Sequence, residues 1–428
     1  MKRIYYPQKQ AEAFQKDWGT SHLRQEQLPV LTLENAVVTP PFEVFDEANG
    51  RRESEAGVFD QYGHYIQSTS ISIKKKVSLP AIPIPYIDET VIYCGMLILH
   101  YGHFLLQSTA RLYYCLKHPE LNWRLCFVTG NADTPIPKYI YDFFNLLHIP
   151  WSRLLILSSY TRFKTLILPP LSSRYYVDYT EDYILPFQRA AENIPPANHK
   201  KIFISRKKWN GLAKCFGEEK LEELFRKNGF HSIMPEQMSL QEQIATFKGA
   251  EMIAGINGTA FHNVLFTSGK KQLIFLNRNE EYDSQYIINE ALKMDWFLIK
   301  VHANPFPVNH AHGPFIVGVT PELQMFCHDF GLNTFGIQFF PDHYIRDFLK
   351  YYAVIYAQEK ILMELAAHRK GCVQTDELVH ALLLQNSIWN LQYERLIYRC
   401  SSGIRKKFAD LKCSALKKTF HSIFPWRY

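Results

Sequence analysis

Three rhythms of apolar and polar residues follow one another along this chain. Up to about residue 90, short alternating stretches such as Tyr65-Ile66-Gln67 and Ile71-Ser72-Ile73 are punctuated by Pro29, Pro40, Pro41, Pro80, Pro83 and Pro85. That pattern predicts a β-rich, irregular N-terminal segment over residues 1–89. From Thr90 the period changes. An apolar run from Val91 to Leu99 passes through His100-Tyr101-Gly102 into a helical spacing of Phe104, Leu105, Ala110 and Leu112. A strand from Leu125 to Val128, a helix near Ile140 to Leu147, and strands from Leu154 to Leu157 and Leu166 to Leu168 follow. Apolar strands alternating with helices predict a parallel sheet covered on both faces, a first Rossmann-like module over 90–193.

The stretch Ile194-Pro195-Pro196-Ala197-Asn198 reads as a hinge leading to a second β/α module over 198–305. Its first strand is Ile202-Phe203-Ile204. Glu218 to Asn228 reads as a helix, with acids in its first turn, Leu221, Leu224 and Phe225 on one face, Arg226-Lys227 in its last turn and Gly229 as stop. Phe230 to Met234 is a short strand. Ser239-Leu240-Gln241-Glu242 is a capping box opening a helix that turns Leu240, Ile244 and Phe247 inward. A strand from Glu251 to Ile256, a tight loop Asn257-Gly258-Thr259, a helix from Ala260 to Phe266 and a strand from Gln272 to Leu276 complete the series. The expected fold is α/β, two modules facing a cleft. Residues 306–428 are expected to form a helical C-terminal region, where Leu378, Leu382, Gln385, Trp389, Tyr393 and Leu396 recur at helical spacing.

Composition changes the picture mainly at the end of the chain. In 428 residues, 47% apolar and 21% charged, the excess of 48 Lys+Arg over 41 Asp+Glu is +7. Residues 399–428 hold eight basic groups and the acid Asp410, so that whole excess sits in a basic tail on a neutral body. If 403–424 is helical, Phe408, Leu411, Ala415, Leu416 and Ile423 share an apolar arc with Lys407 and Lys418 opposite. Such a segment suits an anionic membrane surface, or else packs on the body with its lysines solvated. Nucleic acid is not expected, because no aromatic stacking platform accompanies the charge. Thr90 to Leu106, the nearest thing to a membrane span, carries two His and two Gly. Residues 1–14 lack the apolar run of a signal peptide. Eight scattered cysteines without a C-x-x-C pair point to reduced thiols, and the chain reads as cytoplasmic.

Candidate chemistry gathers at strand ends. Gly255-Ile256-Asn257-Gly258-Thr259-Ala260-Phe261-His262-Asn263 ends a strand, lets backbone come close to a partner and starts a helix at once. A phosphate fits such a place, and so does a tight turn that merely needs glycine. It is not the dinucleotide fingerprint, for the third glycine is missing, which disfavours a nucleotide-dependent oxidoreductase. Ser205-Arg206-Lys207-Lys208 and then Lys214 fall on the same sheet edge, Arg suited to bidentate and Lys to point-charge contact with a diphosphate. A solvated basic loop is the alternative. His100-Tyr101-Gly102-His103 faces the cleft from the other module and offers a general base. His302, His310 and His312 read as a polar loop, not a metal site. No strict D-x-D pair occurs, Glu281-Tyr282-Asp283 being nearest, so basic groups and amides are expected in place of a divalent metal.

Together these motifs resemble glycosyltransferase family 61. The resemblance is carried by Ile202-Phe203-Ile204-Ser205-Arg206, Glu218, Gly229-Phe230, Pro235-Glu236, Ser239-Leu240, Glu242-Gln243-Ile244, Ala250 and Gly255 to Phe266. Upstream it is carried by Gly102-His103-Phe104-Leu105-Leu106 with Ala110-Arg111-Leu112. It spans about Val58 to Val301. Three positions depart from the family pattern: Asn257 where many members have His, Gln107 where an acid is usual, and Gly217 in the Asn-Glu pair. The resemblance implies a GT-B fold and an inverting, metal-independent transfer from a nucleotide diphosphate sugar, which is a substrate and not a cofactor. It also suggests bacterial capsule or lipopolysaccharide assembly, with a glycan or lipid-linked glycan as acceptor, at the inner face of the plasma membrane. Arg206, Lys208, Lys214, Asn257, Gly258, Thr259, His262 and Asn263 are then expected on the donor side, His100, Gln107 and Arg111 on the acceptor side, and His103 as catalytic base. The alternative is a non-catalytic relative that binds nucleotide sugar or glycan in an assembly complex, a reading that the loss of the acid at Gln107 keeps open.

Overall fold

The structure, a computed structural model, describes residues 2–17, 21–26, 28–46, 51–69, 79–130, 133–208, 214–279, 285–302, 314–334 and 347–348. The helical C-terminal expectation from residue 349 on, the basic tail, His310, His312 and Glu281-Tyr282-Asp283 lie outside the described residues.

Two parallel sheets dominate. The N-terminal strand β1 (Lys2–Tyr5) comes first, followed by the first sheet's β2 (Tyr86–Met96), β3 (Arg124–Val128), β4 (Leu154–Leu157) and β5 (Thr161–Leu168). These four lie parallel in the order β4-β3-β2-β5. The second sheet contains β6 (Lys201–Ile204), β7 (His231–Ile233), β8 (Met252–Ile256), β9 (Gln272–Asn277) and β10 (Asp295–Lys300). Its order is β7-β6-β8-β9-β10-β1, parallel throughout. Residues 1–89 are therefore shared between the sheets. β1 extends the second, whereas strands Leu31–Glu34 and Val37–Val38 run antiparallel to β5 on the first.

Near-continuous apolar strands follow from burial on both faces. In the second sheet Ile202, Ile204, Ile253, Leu273, Phe275 and Leu298 point to one core, and Phe203, Ala254, Ile256, Ile274, Leu276 and Phe297 to another. In the first sheet Ile92, Leu125 and Phe127 enter the same core as the first of those groups, while Val91, Tyr93, Cys126 and Val128 face outward into a third. The central core is thus common to both modules. Among the helices that fill it are α1 (Lys138–Leu146), α2 (Leu185–Ala191), α4 (Leu240–Gly249, following α3 at Glu218–Lys227) and a 3₁₀ helix, Thr259–Phe266. Phe143 of α1 and Phe187 of α2 lie 6.1 and 5.4 Å from Phe266, ring centre to ring centre. Truncating any of the three is a change of the class that costs about 3–5 kcal/mol.

Three expectations need amendment. The Pro-rich stretch is not a free hinge: Ala197 N–H donates to the Ala245 carbonyl at 2.8 Å. A Cβ on Gly249 would collide with the Ala197 carbonyl, so only glycine admits the linker there. The helical spacing after Gly102 folds as a short α-turn, Tyr101–His103, running into a π-turn, Phe104–Ser108, before a helix at Leu112–Lys117. Ser108 Oγ accepts from Ile98 N–H at 2.9 Å, and Thr109 Oγ1 donates back to the Leu105 carbonyl at 2.7 Å. These polar side chains compete with regular helical pairing. Finally, the expected helix from Ala260 is the tighter 3₁₀ form. The capping box at Ser239 and Glu242 forms as expected.

Candidate active site

In the second sheet, β7 lies on one side of β6 and β8 on the other, so successive connections leave in opposite directions between β6 and β8. Open α/β sheets bind ligands outside the carboxyl ends of strands at such a switch point. The chain that emerges there is Ser205-Arg206 from β6 and Asn257-Gly258 from β8. They meet closely. A Cβ on Gly258 would sit 2.5 Å from Arg206 Nη1, so the guanidinium lies over bare backbone. Asn257 is only 5% exposed, and its Oδ1 has no hydrogen-bond partner among the described residues. A buried polar atom left unpaired costs about 1–3 kcal/mol, which a ligand donor would relieve. One expectation changes here: the Asn257 amide donates to the Leu276 carbonyl at 3.0 Å and is not available to a phosphate. The first amides of the turn starting at Thr259 have no intrahelical acceptors, as at any helix start.

Glu218 supports Arg206 from below. It is 1% exposed and accepts a hydrogen bond from the Arg206 backbone N–H. It opens α3 from Gly217, whose φ of +96° and contact with the Val317 carbonyl exclude a side chain. Ser205 and Lys207 are tied to Glu222 at 2.9 and 3.0 Å. Lys207 is thereby withdrawn, while Lys208 is exposed and Lys214 Nζ lies 5.1 Å over the Phe216 ring.

From the first sheet, the turn leaving β2 is His100-Tyr101-Gly102-His103. This turn touches the switch point of the second sheet. A Cβ on Gly102 would lie 2.5 Å from Thr259 Cγ2 and 3.3 Å from His262 Cδ2, so glycine lets this turn seat directly on the loop after β8. Tyr101 Oη donates to Asn263 Oδ1 at 2.6 Å, and Asn263 Nδ2 donates to Gln243 Oε1 and the Ala260 carbonyl, each at 3.0 Å. His262 Nδ1 pairs with Gln285 Oε1 at 2.8 Å. His262 and Asn263, expected on the donor, are buried; Asn263 bonds across to the first module and His262 bonds within the second.

His103 is half-buried, and its Nδ1 lies 2.6 Å from Gln107 Oε1. A carboxamide oxygen only accepts, so Nδ1 is the donor in this pair and Nε2 is left to face other partners. His100 is close by, ring centres 5.2 Å apart. Partial burial, then the neighbouring His103 and His262, lower its pKa. Arg111 is 4% exposed. Its Nε donates to the Pro169 carbonyl at 2.8 Å and Nη2 to the Ser68 carbonyl at 3.2 Å, a brace behind the turn and away from solvent.

Residues 101–274, which contain both turns except His100, match the family model for glycosyltransferase 61. This segment belongs to glycosyltransferase family 61. No curated protein matches the chain. Among solved structures it is similar to TibC, an iron-containing dodecameric bacterial glycosyltransferase from enterotoxigenic E. coli. Identity is 10% over 67% of this chain and 86% of that one, with a TM-score of 0.25. Among the described residues, no group of three or more His, Cys, Asp or Glu is placed to hold a metal, and no helix is long and apolar enough to cross a membrane.

Beside Arg206 stands an acid whose burial the sequence did not disclose. Desolvation pushes Glu218 up to about 7 from an ordinary 4.5, against the opposing pull of the Arg206 N–H and then its charge. A carboxyl raised on folding favours the folded state fully below its unfolded pKa, and that contribution is lost as pH rises through the folded value. Between pH 4.5 and 7 the protein should therefore lose roughly 3 kcal/mol relative to Glu218→Gln, at about 1.36 kcal/mol per unit. Melting curves of both proteins across that range check this; parallel curves would refute it.

Proposed function

We propose that this glycosyltransferase catalyses inverting transfer of a sugar from a nucleotide diphosphate donor to a glycan or lipid-linked glycan acceptor. In this reading the two modules work as a GT-B pair, with the donor on the second and the acceptor on the first. The reading rests on one observation: Arg206 lies over Gly258 at the switch point of the second sheet, and the His103 turn packs on Thr259 from the first. As the sugar–phosphate bond breaks, charge develops on the diphosphate oxygens. Arg206 offers two parallel donors to them, and Lys208, Lys214 and the amides after Gly258 add further positive potential. That arrangement supplies, without a metal, the stabilisation that a divalent ion gives elsewhere. On the opposite side His103 Nε2 takes the acceptor hydroxyl proton while that oxygen attacks the anomeric carbon from the face opposite the leaving group. Gln107, where the family usually has an acid, orients the imidazole without adding charge.

The reading places the protein in the cytoplasm, where nucleotide sugars are made, working on surface polysaccharide such as capsule or lipopolysaccharide. Thermal-shift screening against a panel of nucleotide sugars should select one nucleotide. Incubating that donor with a glycan-containing membrane extract should then release the nucleotide diphosphate and form a product of inverted anomeric configuration. Tight binding without turnover would instead identify a silent nucleotide-sugar binder.

A further inference from the structure

Beside His103 stands an aromatic feature that the donor chemistry does not use. Ser173–Arg174 and Asp178–Tyr179 form a small antiparallel hairpin, with Tyr175, Tyr176 and Val177 at its tip. The Tyr175 ring lies 5.4 Å from the His103 ring, and 4.1 Å from that of Tyr176. Tyr176 and Val177 are 47% and 52% exposed. An apolar tip raised into solvent next to a reactive turn is not explained by packing.

The backbone adds an independent sign. Tyr176 has φ +60°, the left-handed region that residues with a Cβ rarely adopt and that glycine adopts freely. The surroundings impose it. Tyr286 of helix α5 (Gln285–Ala291), in the second module, donates its hydroxyl to the Tyr176 carbonyl at 2.9 Å. Below the tip, Arg174 and Arg24 both pair with Asp178. An aromatic ring held at a strained position, where glycine would fold more easily, marks a ring kept for its surface.

From this juxtaposition we infer that Tyr175 and Tyr176 form the subsite for the acceptor's pyranose ring, stacking its C–H face while one of its hydroxyls reaches His103 Nε2. The electron-rich face of a phenol ring attracts the weakly positive C–H groups of a sugar, and the two phenolic hydroxyls, 3.2 Å apart, can bond its rim. Because this rests on the acceptor-side reading of His103, its test uses binding and not turnover. Methyl glucoside, galactoside, mannoside and N-acetylglucosaminide serve as probes at millimolar concentration.

Saturating the protein's aromatic resonances should transfer magnetisation to the ring protons of at least one probe. Tyr175→Ala and Tyr176→Gly should each weaken that binding by about three- to tenfold. Tyr176→Gly relaxes the backbone, so its melting temperature should hold or rise, which separates loss of the ring from loss of fold. Absence of transfer in the wild type, or equal transfer in a well-folded Tyr176→Gly, overturns the subsite. Nucleotide-sugar binding measured on the same samples keeps the two readings apart: its failure in the wild type sinks the transferase reading, and the tyrosine dependence then stands or falls alone.

Discussion

Replacing His103 by Asn or Ala is expected to lower turnover by about 10²–10⁴-fold while leaving nucleotide affinity near wild type, that being the usual worth of general acid–base help. The geometry sharpens the expectation. Gln107 Oε1 engages Nδ1, so the nitrogen left to act as base is Nε2. Asn can imitate a hydrogen bond from either ring position but cannot take a proton at neutral pH. A positioning role would survive His103→Asn, and a proton-accepting role would not. His100, whose pKa is lowered by partial burial and its two histidine neighbours, is the next base to examine if Asn retains most activity. His262 is a poorer substitute, being buried and bonded to Gln285.

Arg206→Ala should weaken nucleotide-sugar binding at least about tenfold, since hydrogen bonds to a charged group contribute about 1.5–3 kcal/mol. Arg206→Lys should fall between, keeping the charge and losing the bidentate fork. Gly258→Ala provides a test that leaves the charge in place. Its Cβ would occupy the position 2.5 Å from Nη1, so the guanidinium must swing away and affinity should drop with it. Calorimetric titration of the selected nucleotide into all three decides the matter. Equal affinity in Arg206→Ala would remove the residue from the donor site, whatever Gly258→Ala does.

Much of the frame was legible because parallel strands buried on both faces must be apolar throughout. Ile202-Phe203-Ile204 and Gln272 to Leu276 could be little else, and Ser239 with Glu242 announced its helix by local chemistry alone. Local order also made the loop after β8 and the basic residues after β6 visible. What escaped depends on partners distant in sequence. No period in residues 1–89 indicates that Lys2–Tyr5 will pair with a strand near residue 297. Asn263 reads as a ligand until Tyr101, 162 positions away, is seen to bond it. Glu218 looked like an ordinary first-turn acid, and only the packing around it makes it an unusual one. For the tyrosine hairpin the available signal was two adjacent tyrosines between Arg174 and Asp178, and a left-handed backbone leaves no mark on composition.

The core common to both sheets bears on how such an enzyme can be re-engineered. Exchanging donor halves between relatives is an obvious route to new sugar specificity, with Pro195-Pro196 as the natural seam. Here that cut would pass between Phe187 and Phe266, whose rings meet 5.4 Å apart across the boundary. It would also sever the Tyr101–Asn263 bond that seats one turn on the other. A chimera must therefore bring its own α1 and α2 faces, or be recombined within the loops after β6 and β8, where specificity can change while the interlocked centre stays a single inheritance.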